Sequence, residues 1–145
     1  MTKKIWFDMD GTIADLYGVD EWLEMLEAHN PYPYMVAAPM VNMNSLARAL
    51  NKLTRDGWEI NVISWLADGS DAEYDELVTD AKIRWLRSHL KSVQFTQIDI
   101  VAYGTPKQDG RNGILFDDCE QNRIDWGENS YDEKNILEVL RHLYQ

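Results

Sequence analysis

The chain has 145 residues, 45% of them hydrophobic and 27% charged, the balance of one globular domain with a sizeable core. Acidic residues outnumber basic ones by 25 to 14, a formal net charge of −11, so the surface as a whole repels a nucleic-acid backbone; no run of Lys or Arg marks a nucleic-acid groove or a membrane patch. A single cysteine, Cys119, excludes an internal disulfide and a cysteine-based zinc site, and the apolar stretch Ile5–Phe7 is far too short for a signal peptide or a membrane span, so a reducing, cytoplasmic setting is expected.

Ile5-Trp6-Phe7 suits a short buried strand, and it ends abruptly in two carboxylates, Asp8 and Asp10. In extended chain the two point to the same side with Met9 opposite, and Gly11 permits the turn that follows. Such a pair offers one carboxylate free to attack and one to give and take a proton; a divalent cation would relieve the remaining charge. Asp20 is an N-cap candidate for a short helix with Trp22, Leu23 and Leu26 on one face, which Pro31 and Pro33 should end. The stretch of about 16–43 reads as a small helical cap insert. From Asn44 or Ser45 a helix carries Leu46, Leu50 and Leu53 inward and closes at Asp56-Gly57. Trp58–Trp65 alternates as a second strand. A long helix over about 72–91 places Leu77, Ala81, Trp85 and Leu86 inward, which leaves Lys82 at an exposed position. A third strand is expected over 98–103, a turn-rich loop over 104–110, and a fourth strand at Ile114–Phe116 ending in Asp117-Asp118. Residues 119–130 read as irregular with room for a short edge strand, and a final helix over about 131–144 turns Ile136, Leu137, Leu140 and Leu143 inward. This alternation predicts an α/β fold with a mostly parallel sheet.

The polar signals collect at strand C-termini. Asp8 and Asp10, Ser64 with Trp65, and Asp117 and Asp118 each close a strand, and Lys107 lies in the loop between the third and fourth. In an open parallel sheet those ends line one ligand crevice. In this order the residues resemble the haloacid dehalogenase (HAD) superfamily of phosphatases: Ile5-Trp6-Phe7-Asp8-Met9-Asp10-Gly11-Thr12-Ile13, Ile60-Asn61-Val62-Ile63-Ser64, Lys107, and Ile114-Leu115-Phe116-Asp117-Asp118. The resemblance implies a Rossmann-like, three-layer α/β/α domain over residues 1–145 with the small cap at about 16–43. It implies Mg²⁺-dependent phosphomonoester hydrolysis through an aspartyl-phosphate. Asp8 would be the nucleophile and Asp10 the acid and base. Ser64, Trp65 and Lys107 would bind phosphate, and Asp8, Asp10, Asp117 and Asp118 would hold the metal. Lys82 is the rival phosphate-site lysine. His29, His89 and His142 lie outside these motifs and receive no catalytic role.

Within that superfamily the chain looks most like the 5′(3′)-deoxyribonucleotidase group, through the helical insert after the first motif, Lys82 with Trp85 and Leu86, and a lysine about ten residues before the acidic pair. It departs from the group at Trp65-Leu66-Ala67, where the group tends to carry a proline. Tyr17, Trp22, Tyr32, Tyr34 and Trp65 are candidates to stack on a base. The expected partner is a small phosphorylated molecule such as a (deoxy)nucleoside monophosphate, with nucleic acid and membrane disfavoured. A polynucleotide 3′-end phosphatase and a non-catalytic metal- or partner-binding protein are the alternatives.

Overall fold

Strand β1 (Lys4–Phe7) lies at the centre of the sheet, because its three apolar residues are covered on both faces. The structure, a computed structural model, describes residues 2–144. After β1 come a two-residue β2 (Ala14–Asp15), α1 (Trp22–Glu27), α2 (Tyr32–Val36), β3 (Ala38–Pro39) and α3 (Met43–Arg55). Then follow β4 (Glu59–Trp65), α4 (Ala72–His89), β5 (Phe95–Val101), β6 (Ile114–Phe116), α5 (Glu120–Trp126), β7 (Ser130–Tyr131) and α6 (Ile136–Leu143). Five strands pair in the order β5-β4-β1-β6-β7, all parallel, and β2 and β3 form a separate antiparallel pair. All five strand C-termini therefore share one edge of the sheet.

The pleat divides the core. Ile5, Phe7, Ile60, Val62, Ile114 and Phe116 face Leu46, Leu50 and Leu53 of α3, Trp85 and Leu86 of α4, and Ile136 and Leu140 of α6. Trp6, Ile63 and Leu115 face the other way, against Val101 and Trp126 of α5. Much of this second face is covered by the loop of residues 102–113. The Trp6 indole N–H donates to Asn112 O at 3.0 Å, and Arg111 lies over the Trp6 ring while pairing with Asp99 at 3.0 Å. The α/β/α layering is as expected, with one well-built helical layer and one thin one. No helix among the described residues is long and apolar enough to cross a membrane.

Several local expectations need correction. Pro31 and Pro33 do not simply end a helix; they open α2, since the first turn tolerates a residue without an N–H. Asp20 is not a cap: α1 begins after Glu21, which holds a left-handed backbone. Tyr131 belongs to β7, and α6 starts only at Ile136, after the one-turn 3₁₀ segment Glu133–Asn135. Residues 120–126, read as irregular, form α5.

The largest correction concerns α4, where Ala81, Trp85 and Leu86 are buried as expected but Leu77 and Lys82 are not placed as expected. Leu77 is exposed (46%), and the buried stripe is Tyr74, Val78, Ala81, Lys82, Trp85 and Leu86. Lys82 thus points inward at 1% exposure rather than outward. Tyr74, Val78 and Ala81 receive Leu16 and Tyr34 from the segment preceding α3, and the Trp85 indole N–H donates to Ala37 O at 2.8 Å. These contacts hold the segment of residues 16–37 against α4.

Candidate active site

Asp8 follows β1 directly, its backbone N–H donating to Phe116 O at 2.9 Å as if the strand continued. Next, the N–H groups of Thr12, Ile13 and Ala14 all point at Met9 O, each at 3.0 Å, which coils the chain into a tight loop. Gly11 sits in that loop at φ +82, and a Cβ there would run into the Asp118 carboxylate and the Tyr17 ring, so glycine is required by conformation and by space. The loop buries Thr12. Its hydroxyl donates to Asp8 Oδ2 at 2.9 Å, has Asp118 Oδ1 at 3.2 Å as an alternative acceptor, and accepts the Asp118 N–H at 3.1 Å.

Two buried lysines divide the carboxylates. Lys107 Nζ donates to Asp8 Oδ1 at 2.9 Å and to Asp117 Oδ2 at 2.7 Å. Burial alone would lower its pKa, but the charges of Asp8 and Asp117 outweigh that and hold it above the usual lysine value. Lys82 uses its three N–H groups on Ser64 Oγ at 2.7 Å, Trp65 O at 2.6 Å and Asp10 Oδ2 at 3.1 Å. One lysine serves Asp8 and the other serves Asp10.

Asp8, Asp10, Trp65, Lys107, Asp117 and Asp118 line one cleft of about 400 Å³. Ser64 does not: it is fully buried, and its hydroxyl is occupied by Lys82. Tyr17, Trp22, Tyr34, Trp65 and Tyr103 also line the cleft, whereas Tyr32 stands exposed outside it. Burial, then the Asp10 charge, holds the Tyr17 and Tyr34 phenols above their usual pKa, so both remain neutral. Sequence reasoning missed Tyr103, Asn122 and the part Thr12 plays. Asn122, on the unforeseen α5, donates to Asp117 Oδ2 at 3.1 Å, and the Cys119 N–H holds Asp117 Oδ1 at 2.9 Å. The four-residue step from Asp8 to Thr12 was the available signal for Thr12.

Asp8, Asp117 and Asp118 each place a carboxylate oxygen within 4.8 Å of the other two. Lys107 offsets one of the three charges. Burial, then the Asp8 charge, pushes Asp117 above the usual carboxylate range and Asp118 up to about 7. An all-oxygen, over-acidic cluster of this kind fits a hard divalent cation such as Mg²⁺. The sign of the pH effect follows. A carboxyl whose folded-state pKa is raised favours folding below its ordinary pKa of 3.8, and that contribution is lost as pH rises towards 7. A cation bound in the proton's place reverses the loss. The rise in melting temperature on adding Mg²⁺, measured against EDTA, is therefore expected to be larger near pH 8 than near pH 5. An equal rise at both would place the cation elsewhere.

No protein-family profile matches the chain, and no curated protein matches it in sequence. Among solved structures, the chain is similar to the D,D-heptose 1,7-bisphosphate phosphatase from Burkholderia thailandensis, with a TM-score of 0.57 over 99% of this chain and 100% of that one. The fold is HAD-like. At 11% identity the likeness extends to the fold alone, and the site residues stand on their own geometry.

Proposed function

We propose that the chain is a Mg²⁺-dependent phosphomonoesterase that works through an aspartyl-phosphate on Asp8, as a single hydrolase domain with residues 16–43 as a small cap. The observation that carries this reading is Asp8 itself: a carboxylate at the end of the central strand, fixed by Thr12 and Lys107, open to the cleft and flanked by Asp117 and Asp118. An Asp8 oxygen bonds to phosphorus as the ester P–O bond breaks, and Asp10 gives its proton to the departing oxygen. Asp10 then takes a proton from the water that attacks the same phosphorus. The bond to Asp8 breaks, releasing inorganic phosphate and restoring the Asp8 carboxylate and the protonated Asp10. Lys107 offsets charge on Asp8 and on the phosphoryl oxygens. When bound by Asp8, Asp117, Asp118 and the Asp10 carbonyl, Mg²⁺ supplies neutralisation of the phosphate dianion. Lys82 orients Asp10. With Ser64 sealed behind Lys82, Trp65 and Lys107 are the stronger candidates of that group for contact with the phosphate.

The rest of the cleft favours a flat, uncharged leaving group. Its walls are aromatic, with Trp65 edge-on to Tyr103 at 5.1 Å and Tyr17 edge-on to Trp22 at 4.9 Å. Lys107 is the sole cation among the described residues that line it, so a second phosphate would find no partner. A nucleoside monophosphate meets this description better than a sugar bisphosphate of the kind in the solved neighbour's name. Phosphate release should be measured from deoxynucleoside 5′- and 3′-monophosphates, p-nitrophenyl phosphate and a sugar bisphosphate, with Mg²⁺ and with EDTA. Stacking worth about 1–3 kcal/mol predicts a preference of roughly five- to 150-fold in kcat/KM for the substrates that carry an aromatic ring, lost in Trp65→Ala. A preference for the bisphosphate would overturn the substrate reading and leave the reaction class standing.

A further inference from the structure

The α3–α6 face carries charge opposite to that of the molecule as a whole. A cleft of about 490 Å³ runs between these helices and shares no lining residue with the catalytic cleft. Arg48, Lys52 and Arg55 line it from α3, and Arg141 and Tyr144 from α6 and its end. Four of the chain's 14 basic residues thus converge in a protein of net charge −11. Among the described residues no carboxylate lines the cleft, and none of the four cations forms an ion pair or a side-chain hydrogen bond; Lys52 lies over the Tyr144 ring at 4.4 Å. Helix dipoles account for part of this, since Lys52, Arg55 and Arg141 sit in last turns. They do not account for Arg48, one turn earlier. Arg48 and Lys52 are four residues apart and Lys52 and Arg55 three, like-charge spacings that weaken a helix. With 25 acidic residues in the chain, none is placed here to relieve them.

We propose that this cleft is a second, non-catalytic binding site for a compact oligophosphate, an anion carrying two or more adjacent phosphates. Its volume falls in the small-molecule range, and four convergent cations match such a charge. A long polyanion would extend beyond the cleft over a molecule of net charge −11 and be repelled.

The test is calorimetric titration of inorganic tripolyphosphate into the full chain at low salt. One comparison variant is Arg48→Gln/Lys52→Gln, and the other is Lys107→Ala, which weakens the catalytic cleft instead. The expected result is one site, retained in Lys107→Ala and weakened by at least about tenfold in the double variant, the loss of two charge-assisted contacts. Without ligand, the double variant should melt no lower than the parent, because repulsion is removed. Four results would overturn the proposal: no binding in the millimolar range; binding lost in Lys107→Ala but kept in the double variant; a lower melting temperature for the double variant, which would assign these cations to the fold; or tighter binding of a single-stranded oligonucleotide than of tripolyphosphate.

Discussion

Asp8→Asn is expected to abolish phosphate release, by on the order of 10⁵-fold in kcat, while the protein folds normally. The amide keeps an oxygen for the Thr12 hydroxyl but cannot attack phosphorus or form the acyl-phosphate. Lys107 retains Asp117 at 2.7 Å, so no buried charge is orphaned. The substitution also removes one of three crowded carboxylates, and the metal-free variant should melt at or above the temperature of the parent. A lost activity with a preserved or raised melting temperature separates a reacting group from a structural one. Activity within about tenfold of the parent would remove Asp8 from the nucleophile's role, because even a general acid or base usually contributes more.

Lys82→Met should be costly in both stability and turnover. Methionine approximates the volume of the stem, so the buried position stays filled and the loss isolates the ammonium, including its place over the Tyr34 ring at 5.2 Å. Asp10 then lacks its ion pair, and Trp65 O and Ser64 Oγ lose their donor. Breaking a buried pair this way costs about 3–5 kcal/mol, read as a lower denaturation midpoint. Turnover is expected to fall by about 10²–10³-fold, because the carboxylate that must meet both leaving oxygen and water is no longer held. KM should move little, since Lys82 does not line the cleft. If instead KM rose sharply at unchanged kcat, Lys82 would be a substrate-binding residue that reaches the cleft. The paired variant Lys107→Met should raise KM and lower kcat together, because Lys107 faces both Asp8 and the cleft.

Those two lysines also mark where the sequence was legible and where it was not. Short-range signals carried well. Three apolar residues before two carboxylates made β1 and its turn recognisable, and Leu46, Leu50 and Leu53 fixed the inward face of α3. On α4 the centre of the buried stripe was legible and its edges were not. Ala81, Trp85 and Leu86 read inward and are buried, but Leu77 is exposed while Val78 and Lys82 are buried; composition misleads there because it favours a leucine over a lysine for an inward position. What draws Lys82 and Val78 inward is distant in sequence: Asp10 and the Trp65 carbonyl, which need a cation, and Leu16 and Tyr34, which need Tyr74 and Val78. The same blindness hid α5. Its seven residues carry little apolar periodicity, and it is held by Trp126 against Trp6 and Leu115, and by Arg123 donating to Asp117 O at 2.9 Å.

The loop of residues 102–113 joins β5 to β6 without a regular helix, yet it delivers Lys107. Besides the Lys107 pairs, its hold on the sheet is a handful of polar contacts: Arg111 to Asp99, the Trp6 indole to Asn112 O, the Trp126 indole to Gly113 O, and the Trp65 indole to Thr105 O at 2.8 Å. Opening such a segment uncovers Trp6 and breaks the Lys107 pairs, but it breaks none of the strand pairings of the five-stranded sheet. Opening withdraws the ammonium from Asp8 and Asp117 together. Inactivation on warming should then precede global unfolding, as a separate and reversible step. Asp99→Asn, which weakens one anchor at the edge of the sheet, would widen the interval between the two temperatures.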